Sequence, residues 1–302
     1  MRLSVLLFAM IGACVALGIA APAPQDDDVR GAFLTSRPKQ KAPASGKTNR
    51  PSRRRPKAAV ANDAGKATPE KKPANPSGPT ASTTPSEPVK PVNARRIGLG
   101  LTLFTRDSNG LAVRVDPEHV FHKGDRVRVL LETNTDGYLY IFNTTNDGPV
   151  TMIYPDAQLD EAGNYIKAHV PWEIPSSAAD EERFRWLVFD ENAGTERLYF
   201  VLTREPLNGV PTEDELIALC RDSSGSCPFR PTADVWAGIT KEMQSPLKRD
   251  KNTQVGKAQS APEVQASTRG LSLAKDDPEP SLIMMASSTS SMLVTTLDLI
   301  HR

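Results

Sequence analysis

Lys123-Gly124-Asp125-Arg126-Val127-Arg128-Val129-Leu130-Leu131 and, beyond the turn Asn134-Thr135-Asp136-Gly137, Tyr138-Leu139-Tyr140-Ile141-Phe142 decide how this chain folds. In the first run Val127, Val129 and Leu131 fall on one side of an extended backbone and Arg128 on the other, the two-residue period of a strand. In the second run aromatic residues take one face and aliphatic residues the other, so both faces are expected to be covered. Asn146-Asp147-Gly148-Pro149 then turns the chain into Val150-Thr151-Met152-Ile153-Tyr154, which Pro155 stops. Three short strands at this spacing read as a meander, the language of a sandwich or barrel and not of an α/β fold.

Working outward, Leu99, Leu101 and Leu103 alternate, and Asp107-Ser108-Asn109-Gly110 turns them into Leu111 to Val115. Further strands are expected at Trp186–Phe189 and Leu198–Thr203. Thr212 followed by Glu215 reads as a capping box ahead of Leu216, Ile217 and Leu219, and Thr232 as the cap of a second helix, Ala233 to Met243. The polar residues from about 244 to 268 read as a loop excursion. Strand character returns at Leu271-Ser272-Leu273, Leu282 to Met285 and Met292 to Leu297, with Ser287 to Ser291 joining the last two as a hairpin. An isolated hairpin is marginal in water, so these strands are expected to complete sheets begun near residue 97. The fold class that follows is mostly β: a single β-sandwich-like domain over 94–302 with one or two short helices.

The first third of the chain has another character. Arg2 followed by an apolar run from Leu3 to Ala21, interrupted only by Ser4, reads as a signal peptide over 1–21, cleaved after Ala20 or Ala21. The run is also long enough for an uncleaved anchor, and Ile11-Gly12-Ala13-Cys14 resembles a lipobox in which Cys14 is acylated. All three readings export the chain, to a periplasm or cell envelope. Residues 22–93 read as a disordered basic linker. Between Pro38 and Pro91 there are 11 Pro, 12 Lys or Arg and 3 Asp or Glu, a charge of +9 within a chain whose net charge is +1. So little apolar surface cannot offset roughly 1–2 kcal/mol per residue of backbone ordering entropy. The densest charge, Arg53-Arg54-Arg55, would point to nucleic acid inside a cell; export leaves an anionic envelope polymer, or a protein, as the partner. Membrane association would need an uncleaved apolar segment or a lipidated Cys14. Ahead of the linker, Asp26-Asp27-Asp28 and the Phe33-Leu34 pair read as a solvated tail, with a docking peptide as the alternative.

A family resemblance rests on His122-Lys123-Gly124-Asp125-Arg126-Val127-Arg128, the Asp136 to Phe142 run, Ile153-Tyr154-Pro155, Asn164-Tyr165-Ile166, Trp172-Glu173-Ile174-Pro175 and Glu196-Arg197-Leu198-Tyr199. In this order they resemble the family catalogued as domain of unknown function 4384, over roughly residues 97–206. The resemblance implies a β-sandwich accessory module of bacterial proteins and carries over no catalytic residues.

Motifs for chemistry are sparse. His119-x-x-His122 with Asp125 is the best cluster for a metal, but it flanks a strand-opening turn with Lys123 beside it, and a zinc site wants three or four ligands on rigid elements. The sequence holds no Gly-x-Ser-x-Gly elbow, no His-Glu-x-x-His helix and no phosphate-binding glycine loop. The expectation is a non-catalytic module without a cofactor; the competing class is a hydrolase or metal-dependent enzyme built from scattered residues. With Cys14 removed, Cys220 and Cys227 remain, and an even count in an oxidising compartment predicts a disulfide across the polar loop between them.

Overall fold

The computed structural model describes residues 28–39, 96–157, 163–221, 227–252, 254–287 and 290–302. The signal segment with Ala20, Ala21 and Cys14, and the basic stretch 40–95, lie outside the described residues.

Two antiparallel sheets face each other. In the first, β1 (Gly98–Arg106) runs between β12 (Leu282–Met285) and β4 (Arg126–Thr133), and β2 (Ala112–Val115) returns along β1 after the Asp107–Gly110 turn. At one edge β11 (Lys248–Lys251) joins β12; at the other β8 (Trp172–Ile174) and β9 (Leu187–Val188) join β4. The second sheet has the order β3 (Val120–Phe121), β13 (Met292–His301), β10 (Gly194–Thr203), β5 (Gly137–Thr145), β6 (Thr151–Tyr154), with β7 (Tyr165–Ile166) on β5. Its longest pairing among the described residues, β10 with β13, matches Gly194 to His301 through Thr203 to Met292, and β3 runs parallel to its neighbour β13.

The alternation read from sequence sets the inner layer. Leu99, Leu101, Leu103, Val127, Val129 and Leu131 of the first sheet meet Leu139, Ile141, Leu198, Phe200, Leu202 and Leu293 of the second in one buried cluster. The aromatic face of β5 is covered as expected. Tyr140 and Phe142 pack outward with Tyr199, Val201 and Val294 under α2 (Glu213–Arg221) and α3 (Ala233–Met243), which contribute Leu216 and Ile239. The Thr232 hydroxyl caps α3 by accepting the Val235 N–H.

Several expectations are corrected. The three strands from Val127 to Tyr154 are no meander, because β4 belongs to the first sheet and β5 and β6 to the second. Nor do Leu282–Met285 and Met292–Leu297 form a hairpin; they enter different sheets. Strands apolar on both faces can pair in either layer, and a two-residue period does not name the neighbour. Leu271–Leu273 is not a strand, although Leu273 is buried and donates its N–H to the His169 carbonyl. The excursion at 244–268 is folded. It contains β11 and α4 (Ala261–Arg269), whose Ser260 and Glu263 form a reciprocal capping box. Finally, residues 28–39, counted with the linker from residue 22, are part of the sandwich. They include α1 (Val29–Leu34), with Asp28 capping it by accepting the Gly31 N–H.

Candidate functional site

The outer face of the first sheet explains why residues 28–39 dock. On β1 the even positions, Gly98, Gly100 and Thr102, face away from the inner leucines. A methyl group at Gly98 would lie 2.9 Å from the Phe33 ring, and one at Gly100 would meet Pro280 as well as Phe33. The two glycines leave the space in which Phe33, fully buried, packs with Ile283 and Met285 of β12.

Beside Phe33 the face is polar and still dry. Arg37 Nε and Nη2 fork onto the two oxygens of Glu132 at 2.8 and 2.6 Å, with both side chains at most 2 % exposed. Its remaining hydrogens go to the carbonyls of Ala274, Asp277 and Pro278. All five guanidinium donors therefore have acceptors, which makes a buried charge tolerable. Glu132 also accepts from His169 Nδ1 at 2.8 Å, and His169 Nε2 lies 2.8 Å from the Ser36 hydroxyl. Burial opposes the charge on Glu132, but the hydrogen bond from His169 and the fork from Arg37 outweigh it and hold the carboxyl below its usual range. The backbone of His169 adopts φ 58° and bonds to Thr133 and Leu273, so the imidazole is fixed between β4 and the strap formed by residues 254–281.

Both flanks of the basic stretch end on this face. On one side Pro38 accepts the Lys275 N–H; on the other Asn134 donates to the Arg96 carbonyl and accepts the Gly98 N–H. Arg30 adds ion pairs to Asp250 of β11 and to Glu279. A second buried pair, Arg114 of β2 with Glu263 of α4, holds the other end of the strap at 2.5 Å. Burial is the largest influence on Arg114 and lowers its pKa, with Glu263 acting in the opposite sense.

Ser36, His169 and Glu132 have the connectivity of a nucleophile, base and orienting carboxylate. Here, however, Glu132 is shared with Arg37, and the Ser36 hydroxyl also lies 2.5 Å from the Phe33 carbonyl. The arrangement joins a segment to a sheet.

The residues singled out in the sequence lie elsewhere. Asp125 accepts the His122 N–H and so closes the strand-opening turn, while the His119 ring meets Phe121 edge-on at 4.7 Å. Among the described residues no group of three or more His, Cys, Asp or Glu is placed to hold a metal ion. Cys220 and Cys227 are disulfide-bonded with a Cα separation of 4.9 Å, tying the end of α2 to the segment entering α3. No helix among the described residues is long and apolar enough to cross a membrane.

Residues 120–206 match the model of a domain of unknown function (DUF4384). No curated protein and no solved structure matches the chain. The DUF4384 region runs from β3 through β10 and contains Glu132 and His169. It leaves out β1, β12 and β13, without which neither sheet closes, and also Ser36 and Arg37. In this chain the matched region is thus the centre of a larger sandwich whose N-terminal segment and C-terminal strap cover one face.

Proposed function

We propose that this chain is a non-catalytic exported module of the cell envelope that holds an anionic polymer through its basic stretch, with the sandwich as the anchor for both ends. The observation that carries this reading is the docking of residues 28–39 on the face from which β1 departs. The 56 residues from 40 to 95 carry 12 Lys or Arg and 3 Asp or Glu, and of their two flanks Pro38 bonds to Lys275 of the strap and Arg96 to Asn134 at the end of β4. A +9 segment is thus joined at both ends to a domain that is otherwise acidic. The apolar N-terminus and the Cys220–Cys227 disulfide favour an oxidising compartment outside the cytoplasm.

Retention of the mature chain on an anionic matrix tests the reading. It should fall steeply with added salt and weaken when Arg53, Arg54 and Arg55 are changed to Ser. Salt-independent retention, or retention unchanged by the triple substitution, would exclude it.

The competing reading, an envelope hydrolase, draws on Ser36, His169 and Glu132 alone. Labelling by a fluorophosphonate that disappears in Ser36→Ala would favour it; an unlabelled chain leaves the segment a structural dock.

A further inference from the structure

Arg128 is an anomaly among the buried charges of the first sheet. It is 5 % exposed, yet unlike Arg37 and Arg114 it has no carboxylate within ion-pair distance among the described residues. Its guanidinium stacks 4.1 Å over the Trp186 ring, and its Nε and Nη2 both donate to the Arg185 carbonyl. That leaves the outer edge of the fork, Nη1 and the second Nη2 hydrogen, without an acceptor among the described residues. Burial is the main influence on this group and lowers its pKa; Glu173 and Glu182 oppose the shift and Arg185 adds to it.

The same group lines an open cavity of about 330 Å³ between the β1–β2 turn, the 177–186 segment and the start of α4. Ser177 lines it too, and its hydroxyl is buried with no hydrogen-bond partner among the described residues. The nearby Glu173 is occupied, accepting from the Ser177 N–H and from Gln259. Arg106 and Arg185 stand at the rim, where the exposed Glu182 pairs with both. Three guanidiniums thus gather around the two carboxylates Glu173 and Glu182, and the outer edge of the Arg128 fork and the Ser177 hydroxyl have no acceptor among the described residues. The exposed side chains of Leu111 and Val264 complete an apolar lip.

We infer that this cavity is a binding site for a carboxylate carrying a short apolar substituent. An unpaired buried guanidinium is costly unless an anion completes it, and the free edge of the fork matches the two oxygens of a carboxylate. Turned about its Cα–Cβ bond toward the cavity, the Ser177 hydroxyl donates to one of those oxygens, while Leu111 and Val264 cover the substituent. This site is independent of the basic stretch and of Ser36.

Calorimetric titration of the full mature chain with N-acetyl-leucine, with N-acetyl-leucinamide and with inorganic phosphate, all at matched ionic strength, tests the assignment. The acid should bind saturably and the amide should not. Ser177→Ala, which removes only the hydroxyl from a loop, should weaken the acid about tenfold, the size of one hydrogen bond to a charged group. Arg128→Met should abolish binding, and a far-ultraviolet spectrum matching the wild type confirms that it folds. Equal binding of acid and amide, binding of phosphate alone, or acid binding unchanged by Ser177→Ala would each overturn the inference.

Discussion

The two outer faces of the sandwich are covered by opposite means. Over the second sheet lie two amphipathic helices, and the contact is a cluster of Tyr140, Phe142, Met152, Tyr199, Val201, Leu216 and Ile239, with Trp236 edge-on to Phe142 and Tyr199. Over the first sheet lie α1 with its C-terminal extension and the 254–281 strap, held by Arg37 to Glu132 and Arg114 to Glu263 around a small apolar patch at Phe33. Apolar cover is non-directional and tolerates small losses. Polar cover is directional, and removing one partner strands a buried charge. The faces should therefore respond very differently to substitution.

The largest effect is expected at Arg37. Arg37→Ala leaves Glu132 buried with only His169 beside it, and should lower stability by about 3–5 kcal/mol in urea unfolding. It should also free residues 28–39, so that protease cuts there before it cuts the sandwich. If the variant unfolds like the wild type and its N-terminal segment stays protected, the contrast between the faces fails.

Replacing Cys220 and Cys227 together by Ser should lower stability by roughly 2–3 kcal/mol on the chain-entropy account of so small a loop. The loss should fall on the helical face, seen as faster proteolysis near α2 with residues 28–39 still docked. Intact mass after alkylation, with and without reductant, checks the bond itself.

Acid should distinguish the faces without any substitution. Because the folded-state pKa of Glu132 is depressed, its contribution is fully present above the unfolded value, about 4.3, and is lost as pH falls through the folded one. Amide exchange in residues 28–39 should accelerate below that range before exchange in α2 and α3 does. Simultaneous loss of protection would show that the docked segment does not depend on the carboxylate.

The smallest effects separate the helix caps and the apolar cluster. Ile239→Val should cost about 0.5–1.5 kcal/mol and Thr232→Ala about 1 kcal/mol. Ser260→Ala should exceed Thr232→Ala, because Ser260 also donates to Glu263, the partner of Arg114. Equal losses at the two caps would mean that the buried pair holds Glu263 unaided.

Much of the helical side was legible: the aromatic face of Tyr138 to Phe142, the Thr232 cap and the cysteine pair are local signals. On the other side the signals existed but pointed at no partner. Gly98-Leu99-Gly100-Leu101-Thr102 alternates small residues with leucines, the mark of a strand closely approached on its small face. Ser260-Ala261-Pro262-Glu263 is a capping box with proline in the first turn, inside a stretch whose polarity reads as a loop. Arg37 and Glu132 stand 95 residues apart, and no local pattern joins them. Arg128 and Ser177 are ordinary residues until the fold buries both beside one cavity.

The sequence by itself determined that the chain is mostly β, which sides of β1, β4 and β5 face the interior, where the basic stretch runs and which cysteines can pair. Each follows from composition or from a short period along the backbone, because apolar burial depends on where a side chain points and not on which apolar group it meets. Only the tertiary structure decided which sheet each strand enters, that residues 28–39 belong to the sandwich, and how the buried arginines are matched. Those outcomes rest on hydrogen bonds and ion pairs that need a specific acceptor within about 3 Å, and chain folding brings such acceptors from distant sequence.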